Sequence, residues 1–360
     1  SGSKKRVPAD LSSSGERHTA EQYDVNLGVY AWEIDFFGRL RSLRDQALEA
    51  YLATDEARRS TQILIVSAVG ETYLTLAADR EALKLARTTF EAQKATYHLV
   101  KRRYDVGLAT ELDLNFAQTQ VDIARRDMAR YAQRVAQDEN ALNFLVGRST
   151  PVSGANLPED LAGIKPLRAI DPGISSEVLL ERPDIVQAEH LLKAANANIG
   201  AARAALFPRI SLTSTVGTAS AELSGLFEAG SGTWLFAPQI VMPIFDARLW
   251  SALDVTKAEQ EIALAQYEQA IQAAFREVAD SLAAQGMVDE QLAAQQSLVR
   301  ATAETYRLSE ARYLKGIDSY LGVLVAQRSL FAAQQVLVAL NLSKRANQVR
   351  LYAVLGGGTH

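Results

Sequence analysis

The chain has 360 residues, of which 48% are hydrophobic and 22% are charged, and its formal net charge is −4. This balance supports a large buried core and excludes the disordered, collagen-like and basic nucleic-acid-binding classes, so no nucleic-acid partner is expected. The absence of cysteine excludes disulfides, thiolate metal sites and cysteine nucleophiles. No uninterrupted run of about eighteen apolar residues occurs, which predicts that no helix crosses a membrane.

The first predicted elements are a polar loop and a strand. Residues 1–22 are mostly polar and predict a loop that follows the remnant of a strand. From Tyr23 to Phe36, apolar side chains alternate with polar ones, which is typical of a strand with one apolar face.

A very long helical hairpin follows. Residues 38–103 contain no proline and predict a helix that would span about 100 Å at 1.5 Å per residue. After a turn at Gly107, a second helix returns beside the first. Apolar residues recur every seven positions along both helices, which requires left-handed supercoiling around neighbouring helices. The recurring residues are Val69, Leu76, Leu83, Phe90, Tyr97 and Tyr104 in the first helix and Leu114, Val121, Met128, Val135 and Leu142 in the second.

The second half of the chain begins with a proline-rich connection. Residues 148–183 predict irregular structure with one short helical turn over residues 175–181. A helix is predicted from Asp184 to about Leu206, and alternating patterns over 209–220 and 234–245 predict two strands, although Pro238 and Pro243 weaken the second. A second long hairpin is predicted from Ala247 to about Leu355.

The two hairpins are copies of one unit. The sequences RYDVGLATELDLNFAQ at 103–118 and RYLKGIDSYLGVLVAQ at 312–327 share six residues at a constant separation of 209 positions, the difference between 312 and 103. The same separation matches Phe36 with Phe245, which indicates a tandem duplication of more than a hundred residues. Subtracting 209 from the helix and strand that precede the second hairpin places their counterparts at about −25 to 11. We therefore expect the chain as given to begin inside its first strand and to lack one helix.

The patterns alone leave two architectures open. Strand pairs with apolar faces fit a closed barrel in a membrane, because closure removes unpaired edges, but they also fit a soluble sandwich that packs those faces together. The long hairpins fit helices packed sideways into a curved wall, and equally an antiparallel coiled-coil spacer.

Several motifs resemble those of one known family. They are the junction AWEIDFFGRL over 31–40, the segment RPDI over 182–185 leading to Phe207-Pro208, the turn PIFD over 243–246, and RYxxG at both hairpin tips. In this order, and over essentially the whole chain, they resemble the outer-membrane factors of tripartite efflux pumps, which form the TolC-like superfamily, and most closely its OprM-like branch.

The resemblance implies a mainly α protein with a β-barrel part. The expected assembly is a homotrimer in which four strands per protomer contribute to a twelve-stranded barrel in the lipid of the outer membrane. A helical tunnel would continue this barrel across the periplasm. The branch usually carries an acylated N-terminal cysteine, a residue that the chain as given does not contain.

The resemblance also implies a function and partners. It indicates a passive exit duct for drugs or other small molecules, with an iris-like gate at the helical tips, a periplasmic adaptor protein and an inner-membrane pump. Within the same class, a type I protein-secretion duct is an alternative. A second class is a periplasmic adaptor or coiled-coil scaffold without a pore. Adaptors usually carry one hairpin inside a split β-domain, so two tandem hairpins that each follow a strand pair favour the duct.

By motif position, the resemblance places a gate and an adaptor contact at the two tips. The expected gate residues are Asp113, Tyr313, Asp318, Leu321, Val325 and Arg328. The expected tip turns and adaptor contacts are Arg103, Tyr104, Gly107, Arg312 and Gly316. Relatives often carry aspartate where this chain has Val325, so we expect a hydrophobic ring, or a ring at another level. The alternative is that the charges at the tips are only solvated turn residues.

No grouping of residues typical of catalysis is present. The four histidines are scattered, and neither a glycine-rich phosphate loop nor a Ser/His/Asp arrangement occurs, so we expect no enzyme activity, metal or cofactor. The expected organisation is a strand pair at 1–36, a hairpin at 37–147, a connection at 148–183, a helix at 184–208, a strand pair at 209–246, a hairpin at 247–356 and a tail at 357–360.

Overall fold

The computed structural model describes residues 1–13, 15–147, 157–165, 167 and 175–357. These ranges contain four strands and five α-helices. In chain order they are β1 (Gly2–Val7), β2 (His18–Ile34), α1 (Arg39–Asp105), α2 (Glu111–Val146), α3 (Pro183–Ala204), β3 (Arg209–Ser220), β4 (Gly232–Val241), α4 (Ala247–Leu314) and α5 (Tyr320–Val354). The predicted fold class, mainly α with four strands, is confirmed.

The helix bounds follow the internal repeat. Helices α1 and α4 end at Asp105 and Leu314, and helices α2 and α5 begin at Glu111 and Tyr320. Both pairs of positions differ by 209, which is also the separation of the duplicated tip sequences. The tandem duplication predicted from the sequence is therefore confirmed in the structure.

The four strands form one antiparallel sheet in the order β1-β2-β3-β4. The central pair, β2 with β3, joins the two repeats and sets Leu27 opposite Val216, which in turn lies opposite Trp234. The register shifts between Val29 and Trp32, where Ala31 has a φ of 51°. Such a bulge bends a strand and increases its twist.

The strand bounds differ from the prediction at both ends of β2. The strand begins at His18, five residues before the predicted start at Tyr23, because β1 pairs with residues 18–23. Residues 18–22 are mostly polar, so the apolar alternation did not indicate that they belong to the strand. It ends at Ile34, and Asp35 then accepts hydrogen bonds from the backbone N–H groups of Leu40 and Arg41 in the first turn of α1. This cap satisfies donors that a helix start leaves unpaired.

Strand β4 is also shorter than predicted, because it ends at Val241, before Pro243. Pro238 nevertheless lies inside the strand, opposite Leu212 of β3. Within one chain β4 is an edge of the sheet, the position where prolines inside strands are usually found.

The contacts divide the chain into two compact units. One comprises Ser1–Thr54 with Ala188–Tyr267 and contains the whole sheet. The other comprises Asp55–Gln187 with Glu268–His360 and contains the hairpin tips. Small buried residues such as Ala77, Ala78 and Ala86 line the cores of the second unit, so its helices approach closely.

Only part of the predicted connection between the repeats is described. The expected helical turn is a 3-10 helix over Ser176–Glu181. Next to it, the buried Arg182 donates hydrogen bonds to Asp184, to Glu277 at 3.0 Å and to the carbonyl of Val354 at 2.7 Å. Arg182 therefore ties the start of α3 to α4 and to the end of α5. The rest of the connection, over 148–156, 166 and 168–174, and the end of the tail at 358–360 lie outside the described residues.

The prediction that no helix crosses a membrane does not hold for all helices by length and composition. Helices α1 and α5 each contain an 18-residue window, of mean hydropathy 1.3 and 1.5, that could do so by length and composition alone. Only 22% and 28% of these windows is buried within the chain. Scattered charges had interrupted the apolar runs in the sequence, but the windows still carry considerable exposed apolar surface.

Candidate functional site

The two hairpin tips have the same backbone geometry. Gly107 and Gly316 have φ angles of 76° and 72°, the left-handed region that glycine adopts without strain. Each glycine N–H bonds the carbonyl three residues earlier at 2.9 Å, and the next N–H bonds back to the arginine of the RYxxG motif. This pair of hydrogen bonds ends a helix in a Schellman turn, and it explains why the motif occurs twice.

The two tips differ in the side chains that start the returning helix. At the first tip, Thr110 and Asp113 form a reciprocal capping box, each side chain accepting the other's backbone N–H at 3.1 Å. At the second tip, the N-cap residue Ser319 makes no such hydrogen bond. Arg312 instead donates to both carboxylate oxygens of Asp318, at 2.5 and 3.1 Å. These hydrogen bonds hold the pKa of Asp318 below its ordinary value.

The two tips pack against each other through a buried aromatic cluster. Tyr313 and Tyr320, from the second hairpin, have ring centroids 5.2 Å apart. The guanidinium of Arg103, from the first hairpin, lies 4.8 Å from the centre of the Tyr313 ring, a cation–π distance. Tyr313 and Tyr320 are 8% and 1% exposed. The other buried members of this tip cluster are Val100, Ala117, Val323 and Leu324.

Helix α5 presents a different set of residues to the outside. Leu321 and Val325 are 53% and 57% exposed, and they line a groove of about 490 Å³ with hydroxyl side chains of both α4 and α5. Arg328 is also exposed, one turn after Val325. The spacing of these three residues places them on one face of α5.

The structure thus separates the expected gate residues into two groups. Leu321, Val325 and Arg328 share the exposed face of α5, whereas Asp113 belongs to the capping box and Tyr313 lies inside the tip cluster. Asp318 is engaged by Arg312. Among the expected tip residues, Tyr104 is 40% exposed and Arg103 contributes to the cluster.

Sequence reasoning missed Tyr320. It is the first residue of α5 and one of the largest fully buried side chains among the described residues. The corresponding residue of the first copy is Glu111, so the repeat gave no signal for a buried aromatic residue here.

A second group that the sequence did not reveal is a pair of carboxyl groups between α1 and α2. The carboxyl groups of Asp79 and Asp138 interact electrostatically, and Arg134 Nη1 lies 3.8 Å from Asp79 Oδ1. Burial, and then the negative charge of Asp79, raise the pKa of Asp138 to about 6. Burial also raises the pKa of Asp79, which the charge of Arg134 opposes. Asp138 is therefore protonated below about pH 6.

The sheet has one apolar and one polar face. Leu27, Val216 and Trp234 lie side by side on the apolar face and are 80%, 63% and 80% exposed. The opposite face carries mostly polar or small residues on β2 and β3, among them Asn26, Gly217, Thr215, Thr213 and Ser211, while β4 adds Leu235 and Val241 to it. This alternation matches a strand that faces lipid on one side and water on the other.

A metal centre is not indicated within the described ranges. No group of three or more His, Asp or Glu side chains there is arranged to hold an ion.

Comparisons with known proteins give a consistent result. A family model described as outer membrane efflux protein matches residues 1–148 and 174–357. Two relatives from Pseudomonas putida are each 49% identical to this chain over 359 residues, which cover 99% of this chain and 74% of the relatives. They are the antibiotic efflux pump outer membrane protein ArpC and the toluene efflux pump outer membrane protein TtgC. The open state of the Neisseria gonorrhoeae MtrE outer membrane channel has 37% identity and a TM-score of 0.86, covering 99% of this chain and 80% of MtrE.

Proposed function

Because the chain belongs to the outer membrane efflux protein family of outer-membrane channels, we propose that three copies close their sheets into one barrel. This barrel would belong to the passive exit duct of a tripartite pump. Membership in this family fits a transport role and supports the duct rather than the adaptor or scaffold.

The observation that carries the proposal is the sheet with two unlike faces and two open edges. Strands β1 and β4 each have one neighbour, so each leaves a row of backbone donors and acceptors unpaired. Inside a bilayer each unpaired group costs several kcal/mol, and only a closed barrel removes both edges. Pairing β4 of one copy with β1 of the next satisfies the edges, with the apolar face toward lipid and the polar face toward the lumen.

The amount of exposed surface also supports an assembly. The accessible surface is 22,860 Å², whereas a compact monomer of this mass exposes about 14,000 Å². The excess includes the apolar windows of α1 and α5, where Leu64, Ile65 and Val66 are 70%, 45% and 51% exposed. We propose that these surfaces pack against neighbouring copies in a helical wall in the periplasm.

The cargo and the partners follow from the relatives. Two relatives with 49% identity are named for antibiotic and toluene efflux. We propose small apolar or amphipathic organic molecules as cargo for this chain. A periplasmic adaptor would contact the tips through Arg103, Tyr104 and Arg312 and the turns at Gly107 and Gly316, and an inner-membrane pump would supply the energy.

We place the gate at the same tips. The exposed face with Leu321, Val325 and Arg328 would form rings around the lumen, with Val325 giving an apolar ring. Opening would proceed by an iris-like movement of the hairpins. Tyr313 would act by holding the two tips together, whereas Asp113 and Asp318 would each stabilise the turn of their own tip.

Reconstitution of the full-length protein in planar bilayers tests the duct and the gate together. We expect a detergent-stable trimer that conducts ions. The variant Val325→Asp should gain block by Mg²⁺, because three aspartates would face one another across the lumen. Val336→Asp is the matched control, since Val336 is 47% exposed on the same helix about three turns away. A monomer without conductance refutes the duct, and a conducting trimer whose block is unchanged by Val325→Asp places the gate elsewhere.

A further inference from the structure

Tyr320 carries a buried hydroxyl group without a partner. The residue is 1% exposed, and its hydroxyl oxygen has no hydrogen-bond partner among the described residues. Burial raises the pKa of this hydroxyl above its ordinary value, so it stays protonated at every physiological pH. A buried donor that is left unpaired costs free energy, because it loses its hydrogen bond to water and gains none in return.

The unpaired hydroxyl lies where the two hairpins meet. Val100 and Ala117 come from the first hairpin, and Tyr313, Val323 and Leu324 from the second. The Nε atom of Arg103, at the same tip, is likewise buried without a partner among the described residues. Packing of the tips therefore buries polar atoms that would reach water if the hairpins separated.

Tyr320 also holds the start of a weakly secured helix. Helix α5 begins at Tyr320 without a side-chain cap and has Gly322 in its first turn. Helix α2 begins at the corresponding position with a capping box. An N-cap hydrogen bond and the absence of glycine each favour a helix, so the first turn of α5 depends on the packing of the Tyr320 ring more than α2 depends on Glu111.

We propose that Tyr320 is a positioning residue that sets the balance between packed and separated tips, its ring holding them together and its unpaired hydroxyl weakening them. This inference rests on the proposed gate, which it deepens. A phenylalanine would keep the packing and remove the unpaired group, so the natural tyrosine keeps the packed tip less stable than the same core could make it. A channel that must open gains from such a residue.

The test compares Tyr320→Phe with Tyr352→Phe in the full-length protein. Tyr352 is 38% exposed on the same helix, so its hydroxyl reaches water in either state. We expect Tyr320→Phe to slow hydrogen exchange of the first turns of α5 about tenfold, which corresponds to about 1.4 kcal/mol. The probability of opening in planar bilayers should fall by a similar factor. The control should change neither quantity.

Three outcomes would overturn the proposal. Faster exchange in Tyr320→Phe would mean that the hydroxyl is satisfied in the packed tip, for example by an internal water. Unchanged exchange would mean that the hydroxyl has no energetic effect. Slower exchange with unchanged opening would separate the tip cluster from the gate. In each case the wild-type protein still conducts, whereas failure of the proposed duct would remove conductance from the wild type itself.

Discussion

The carboxyl pair between α1 and α2 makes the stability of the first hairpin depend on pH. Replacement of Asp138 by asparagine removes one ionisable group and keeps the size of the side chain, and the amide N–H can still donate to Asp79. The second copy shows that the repeat accepts this residue, because Asn347 stands 209 positions after Asp138. There, Val288 takes the place of Asp79, and Asn347 donates to the carbonyl of Ser281 at 2.9 Å.

The size of the effect follows from the pKa of Asp138, which is raised from 3.8 to about 6. A shift of one unit corresponds to 1.36 kcal/mol, so the full shift would give about 3 kcal/mol. The pair is partly reached by solvent, which screens the charges, so we expect about 1–2 kcal/mol. Because the pKa of Asp138 is raised on folding, this penalty is absent below pH 4 and develops as the pH rises through 6. Neighbouring charges are Arg130, Arg134 and Glu139 on α2.

Thermal unfolding of the detergent-solubilised protein at pH 5 and pH 8 measures this effect. We expect Asp138→Asn to be more stable than the wild type at pH 8 by about 1–2 kcal/mol, and the advantage to shrink at pH 5. The infrared absorption of protonated carboxyl groups at pH 5 should be weaker in the variant than in the wild type by the contribution of Asp138. Asp122→Asn is the matched control, since Asp122 is exposed on the same helix beside Arg125. If Asp138→Asn keeps the pH dependence of the wild type, or is less stable at pH 8, then the pKa of Asp138 is not raised on folding.

Two further predictions concern Arg182 and Gly316. Arg182→Met should destabilise the protein by about 3 kcal/mol in chemical unfolding, because Asp184 and Glu277 lose their buried partner. Arg182→Lys should recover little of this stability, because lysine lacks the planar guanidinium. Arg307→Met removes an exposed pair with Glu304 and is the control, which should change stability little. Gly316→Ala should destabilise the tip by about 1–2 kcal/mol, because the φ of Gly316 is positive. Gly286 lies in the interior of α4 with open space around it, so Gly286→Ala should stabilise the helix. Equal effects at both positions would refute the argument from the turn.

The features that the sequence predicted are those that repeat over many residues. The seven-residue spacing extends over both helices of the first hairpin, and the helix bounds at the two tips differ by the same 209 positions as the duplicated sequences. A single mispredicted residue cannot cancel a pattern of that length. The positive φ of Gly107 and Gly316 was predictable for the same reason, because the motif occurs twice at corresponding positions.

The features that the sequence did not predict depend on which residues meet across elements. Strand β2 starts at His18 because β1 lies beside it, although residues 18–22 carry no apolar alternation. Asp79 and Asp138 are far apart in the chain, and only the packing of α1 on α2 brings the two carboxyl groups close enough to affect each other's charge. The unpaired hydroxyl of Tyr320 is visible only once every neighbouring donor and acceptor has a position.

The two hairpins have the same backbone geometry at their tips but carry different side chains. We infer from this difference that they play different parts in the opening of the proposed duct. The first hairpin begins its return helix with a capping box and contains Asp138, a carboxyl group whose pKa is raised to about 6. The second begins its return helix without a cap, has Gly322 in the first turn, and buries the hydroxyl of Tyr320 unpaired. Separation of the tips lets the hydroxyl of Tyr320 regain hydrogen bonds to water and removes the packing that secures the first turn of α5, whereas the capping box within the first tip keeps the start of α2 in place. We therefore expect the second hairpin to be the moving part of the gate and the first to be the wall against which it closes.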